Sequence, residues 1–149
     1  MKIMRKLLVI FAVLLPACTY VHVKPASLDK SETIHAQRGG YTMRYAAKRQ
    51  LEERGFKVSV GTFKSGDTDN VIFETNDTLN ARYVLRVQER EEWWLNPLCL
   101  ITFQGFEWWR FNISIADQKT GEELLSWSGR GCANSNIRHL NRLIDELEK

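Results

Sequence analysis

The chain has 149 residues, 44% of them hydrophobic and 26% charged, a length and balance suited to one domain with its own core. The formal charge of +3 comes from 21 basic against 18 acidic residues. Lys2, Arg5 and Lys6 all precede residue 18 and no acidic residue does, so the rest of the chain is neutral. Net neutrality gives no support for a basic patch of the kind nucleic-acid binding needs, so no nucleic-acid partner is expected.

The first 17 residues read as a leader. Lys2, Arg5 and Lys6 form a positive start, and Leu7 to Leu15 is an unbroken apolar run. A membrane-spanning helix needs about 20 apolar residues. This run is shorter and fits the apolar part of a secretory signal followed by a small-residue cleavage site. Leu15-Pro16-Ala17-Cys18 resembles the bacterial lipobox. The resemblance implies diacylglycerol on the Cys18 thiol, cleavage before Cys18 and acylation of the new amino terminus. One acyl chain binds a bilayer only reversibly, whereas several hold firmly. Thr19 follows the cysteine. In the enterobacterial sorting pattern an Asp there favours inner-membrane retention, so for a Gram-negative envelope the resemblance implies the outer membrane, facing the periplasm. The expected division is a signal peptide over 1–17, a lipidated cysteine and tether over 18–40, and a globular domain over 41–149. Pro25 and Gly39-Gly40 punctuate the tether, although Val21 and Val23 alternate as a short edge strand would.

Past Gly40 the pattern takes a helical period. Met43, Ala46, Ala47, Gln50 and Leu51 recur at three and four, predicting a helix over 42–54 with Thr42 as its cap and Gly55 beyond its end. Phe56, Val58 and Val60 alternate as a strand, and 64–70 (KSGDTDN) is a turn. Tyr83, Leu85 and Val87 mark a second strand, whose alternation fails past Glu89. Asn96-Pro97 signals a turn. Ile101, Phe103, Trp109, Phe111, Ile113 and Ile115 then form one long odd-numbered apolar face, broken only by Gly105 and Glu107. Residues 117–122 (DQKTGE) read as a hairpin turn with Gly121 near the left-handed region. Leu125 and Trp127 lie on the returning strand, which Gly129 and Gly131 are expected to end. Ile137, Leu140, Leu143, Ile144 and Leu147 stripe a last helix, with Asn134, Ser135 or Asn136 as cap. That helix is too short to stand alone in water and must pack on the sheet.

The expected fold is α+β, a two-layer α/β sandwich with a four- or five-stranded, mainly antiparallel sheet and two helices on one face. The motifs "L..RGF.V.V", "YVLRVQEREEWW", "ISIADQKTGEELLSWSGRG" and "LNRLIDELEK" resemble a family of small bacterial lipoproteins, over roughly 43–149. Their α/β domain is similar to those of the TolB amino terminus and the curli-secretion lipoprotein. The aromatic stretch around 93–109 departs from that pattern. The resemblance implies no catalytic residues.

Tests for chemistry return little. His22, His35 and His139 have no second ligand at metal spacing, so neither a metal nor another cofactor is expected. Glu89, Glu91 and Glu92 could supply acid–base chemistry, but read more simply as a solvated strand end. There is no phosphate loop and no nucleophile elbow. Cys99 and Cys132 are the candidate disulfide. The exported compartment favours a bond, but a continuous strand would hold them about seven residues apart, near 23 Å at about 3.3 Å per residue, whereas a bond needs Cα atoms within about 7 Å. A bend at Gly105 or a loop folding back would close the gap; a free buried thiol is the alternative. Trp93, Trp94, Trp108 and Trp109 form the candidate binding face. On a strand each adjacent pair puts one ring on either side, so rings on the second side either cover one another, sit beneath 95–105, or meet a partner. The expected function is a non-enzymatic binding or assembly module, held to the membrane through acyl chains on Cys18, with an envelope protein as candidate partner. A glycan- or lipid-binding module is the first alternative and an envelope enzyme the second.

Overall fold

The computed structural model describes residues 20–37, 42–60, 80–103, 105 and 107–149. The expected leader, Cys18 and the expected turn over 64–70 lie outside the described residues. In chain order the elements are β1 (Tyr20–Val23), β2 (Thr33–Ala36), α1 (Thr42–Glu53), β3 (Lys57–Val60), β4 (Tyr83–Glu91), a 3₁₀ turn (Trp93–Leu95), α2 (Asn96–Ile101), β5 (Trp108–Asp117), β6 (Glu123–Cys132) and α3 (Ala133–Glu148).

The six strands make one mixed sheet in the order β1-β6-β5-β4-β2-β3. β4, β5 and β6 form an antiparallel meander, and β1 adds antiparallel to β6. β2 lies parallel to both β3 and β4. The sheet is therefore larger than the expected four or five strands and is mixed rather than mainly antiparallel. The extra strands come from the segment read as a tether: residues 20–36 supply both β1 and β2. Short strands with two or three apolar residues carry little periodic signal by themselves; their pairing partners make them strands.

Period-two alternation sorts the side chains into two faces. Leu85 of β4, Ile115 of β5 and Leu125 of β6 stand in one cross-strand row, and Val87, Ile113 and Trp127 in the next. These residues are buried together with Ile34, Ala36 and Tyr83. Met43, Ala47 and Leu51 of α1 and Leu140, Leu143, Ile144 and Leu147 of α3 cover them, so both long helices lie on this face. Arg54, just past α1, clamps the two helices. Its Nη2 donates to Asn141 Oδ1 at 2.6 Å and its Nε to Asp145 Oδ1 at 3.1 Å.

Helix ends differ from the expected caps. The Glu89 carboxylate accepts from the N–H groups of Thr42 (2.5 Å) and Met43 (2.8 Å), so a β4 side chain closes the start of α1. An anion there also complements the helix dipole. Gly55 has φ 87° and ends α1 as expected. α3 begins directly after Cys132, without a side-chain cap. β6 does not stop at its glycines but runs through them to Cys132. Gly131 is small because Asn136 packs against it: a Cβ there would lie 2.8 Å from Asn136 Oδ1, while Asn136 Nδ2 donates to Gly131 O at 2.9 Å.

Candidate functional site

The predicted long strand from 101 does not form. β5 begins at Trp108, and the chain between β4 and β5 folds into the 3₁₀ turn and α2. Pro97 sits in the first turn of α2, where its missing N–H costs nothing. Asn96 pins the insertion at both ends: its Nδ2 donates to Glu91 Oε1 at 2.8 Å, and its Oδ1 accepts from Trp108 N–H at 2.7 Å. After α2, Phe103 has φ 54° and Gly105 has φ 103°. A bulky residue at positive φ is uncommon. Together these two reverse the chain toward β5.

Folding back brings Cys99 beside Cys132, with Cα atoms 5.4 Å apart in a disulfide. Both cysteines are buried. Cys132 belongs to the side of the sheet opposite the helices, since it alternates with Trp127, Gly129 and Gly131 on the core side. The insertion is thus fixed to one end of the helix-free face.

The four candidate tryptophans do not make one surface. Trp93 and Trp94 lie in the 3₁₀ turn, 75% and 63% exposed. Trp108 is half-buried on the helix-free side, in register with Cys132. Trp109 falls on the opposite side, where its ring packs against the core and its Nε1–H donates to Glu107 Oε2 at 2.9 Å. What accompanies Trp93 and Trp94 is mostly aliphatic: Leu98, Leu100, Ile101 and Phe103 are all exposed, Phe103 at 94%. The sequence hides this group, because Ile101 and Phe103 fit the parity of the β5 core face.

Away from the insertion, the helix-free face is polar. Arg90, Arg110 and Arg130 stand directly opposite one another across β4, β5 and β6. All three are exposed. Arg130 reaches Glu92 at 3.8 Å, whereas Arg90 and Arg110 have no ion-pair or hydrogen-bond partner among the described residues. Further along the strands, Arg86, Gln88, Asn112, Ser114, Glu123 and Ser126 line an open groove of ≈ 200 Å³. Arg86 Nε donates to Gln37 Oε1 at 2.9 Å.

The histidines are dispersed. His22 is in edge strand β1, while His35 is fully buried in β2 with Nδ1 3.1 Å from Ser59 Oγ. His139 on α3 lies against Trp127, with ring centroids 4.8 Å apart and the planes inclined at 50°. Among the described residues no three His, Cys, Asp or Glu side chains gather as a metal set would require. Of the acidic trio, Glu89 caps α1, Glu91 holds Asn96 and Glu92 faces Arg130, so each has a structural partner. No helix among the described residues is long and apolar enough to cross a membrane.

No protein-family model matches the chain, and no curated protein matches it. Solved structures do. The fold is similar to that of PelC. A PelC dodecamer from Paraburkholderia phytofirmans superposes with a TM-score of 0.57 at 14% identity, covering 89% of this chain and 97% of that one. A dodecamer of a single-residue variant of the same PelC gives the same score and identity, with 98% of its chain covered. At this identity the likeness to PelC establishes the α+β architecture. The expected α/β domain thus has support at the level of the fold.

Proposed function

We propose that this chain is a lipid-anchored, non-enzymatic module of the bacterial envelope that binds or assembles with another envelope component on the periplasmic side of the outer membrane. The observation that carries a binding role is the helix-free face of the sheet. It is open, it offers a groove of hydrogen-bonding side chains, and none of the described helices covers it beyond the insertion at one end. Sheets in two-layer folds commonly leave one face to solvent, but solvation alone does not call for Arg90, Arg110 and Arg130 in one row. Like charges set opposite across strands destabilise a sheet. An assembling role draws support from the fold: the PelC structures it resembles are dodecamers.

A second reading, a glycan-binding module, is favoured by the groove itself. Arg86, Gln88, Asn112, Ser114, Glu123 and Ser126 are the polar types that hydrogen-bond hydroxyl-rich ligands.

Photo-crosslinking in intact cells, with the probe at Ser126, tests the first reading. The expected product is a discrete protein adduct that disappears in an Arg86→Ala variant. Native mass spectrometry of the detergent-solubilised protein reads self-assembly in parallel. Failure to form any adduct at Ser126, together with a monomeric mass, would refute the module reading; an adduct with glycan alone selects the second.

A further inference from the structure

The insertion, the arginine row and the first residue of β1 converge on one end of the sheet. β1 runs antiparallel to β6 with Tyr20 opposite Ser128. Going backward from Tyr20 therefore heads the same way as going forward from Ser128, toward Arg130 and Cys132. Cys18 is two residues before Tyr20, a reach of at most about 7 Å. Cys132 is four residues beyond Ser128, about 13 Å along the strand. The disulfide places α2 there, and with it exposed Trp93, Trp94, Leu98, Leu100, Ile101 and Phe103.

We propose that this insertion seats the domain on a phospholipid bilayer, with its apolar side chains entering the acyl boundary and the arginine row meeting lipid phosphates. The proposal rests in part on the reading of Cys18 as the lipid anchor, because that anchor would bring this end of the sheet against the membrane. The chemistry of the patch matches a membrane interface: tryptophans enriched at headgroup depth, aliphatic and aromatic tips beyond them, and cations behind. Trp108 and Cys132 are two residues from the arginine row on the same face, about 7 Å away, so apolar and cationic layers are stacked rather than mixed. Arg90 and Arg110, exposed on the helix-free face, are the cations available to anionic headgroups, each nearby cation adding to attraction for such a surface. Among the described residues Glu91, Glu92 and Glu107 are the acidic groups near this end: Glu92 pairs with Arg130, while Glu91 and Glu107 accept from the neutral Asn96 and Trp109 side chains and keep their charge. A tether that held the domain off the membrane is incompatible with this arrangement, since the described residues directly after Cys18 and Thr19 are sheet.

The full chain, purified from membranes and reconstituted into vesicles of phosphatidylethanolamine and phosphatidylglycerol with brominated acyl chains, provides the test. Roughly two-fifths of the tryptophan emission, the share of Trp93 and Trp94 among five tryptophans, is expected to be quenched. A Trp93→Phe/Trp94→Phe variant should lose that quenched component. Arg90→Glu/Arg110→Glu should reduce quenching in these vesicles but not in phosphatidylcholine alone. The mass of the amino-terminal peptide independently reads acylation at Cys18. An acylated protein without quenching overturns the seating and leaves the anchor; quenching without acylation overturns the anchor and leaves the seating. A photo-crosslink from Phe103 to a second copy of the chain, in place of quenching, also overturns the proposal.

Discussion

Replacing Cys99 and Cys132 together by alanine should destabilise the domain by about 3.7 kcal/mol. The two residues are 33 apart in sequence, and closing a loop of that size removes about 12.5 cal/mol/K from the unfolded chain, which at 25 °C is the figure given. For a domain of this size one kcal/mol moves the melting temperature by about 3–4 °C, so a fall of roughly 10–15 °C is expected. The double variant is the right perturbation, because a single one leaves an unpaired thiol. Thermal unfolding followed by circular dichroism gives the shift. Chymotrypsin digestion gives its location: α2 has six residues, too few for a helix to persist alone, so cleavage should concentrate in 93–103 once the bond is gone. Alkylation under denaturing, non-reducing conditions should find neither Cys99 nor Cys132 modified in the wild type. A melting temperature within about 3 °C of wild type, with 93–103 still resistant, would refute the argument that the bond organises the insertion.

Two further outcomes follow from the helix end and from a buried carboxylate. Glu89→Ala leaves the Thr42 and Met43 N–H groups without their acceptor and should cost about 0.5–2 kcal/mol, while Glu89→Gln, which keeps an acceptor but loses the charge, should cost less; urea titrations of both distinguish charge from hydrogen bonding. At Asp117 burial opposes ionisation, but the Lys119 N–H and the Arg82 guanidinium, 3.1 Å away, outweigh it and hold its pKa below the ordinary 3.8. A depressed carboxylate stabilises the fold above its unfolded pKa, and that contribution is lost as pH falls below about 4 toward the folded value. Asp117→Asn should therefore lower stability at neutral pH and flatten its decline below pH 4; an unchanged acid limb in the variant would show that another group sets it.

Much of the core was legible because burial imposes period. Leu85, Val87, Ile113, Ile115, Leu125 and Trp127 alternate on strands, and Leu140, Leu143, Ile144 and Leu147 recur on α3, since each must face the same interior. The hairpin turn was equally plain: Gly121, with φ 72°, stands where the left-handed conformation is needed. β1 showed only as the Val21 and Val23 alternation of a short edge strand, and β2 not at all, because four-residue strands are made by their neighbours, and Ile34 and Ala36 are fully buried only through β3, β4 and the helices. The insertion misled for a different reason. Ile101 and Phe103 share the parity of β5 by coincidence, and parity has no way to register that Pro97 and the cysteine bond turn the chain before β5 starts. The disulfide itself was a compartment argument set against a strand-length argument, and the chain resolved it by not being a strand there. The arginine row is visible only once β4, β5 and β6 are in register, since Arg90, Arg110 and Arg130 are 20 residues apart in sequence.

The pairing of β1 with β6 joins residues more than 100 apart, Tyr20 with Ser128 and Val23 with Leu125. The strand made first in synthesis thus waits for the strand made last. Contacts of such long separation slow folding, because the intervening chain must be ordered before they form. Until β6 arrives, β1 is a short unpaired segment. Once Lys24 N–H donates to Leu124 O and Ser27 N–H to Leu147 O, both ends of the domain are fastened to each other. Arrival of β6 is then the event that closes the sheet, and a chain truncated before β6 would leave β1 without a partner.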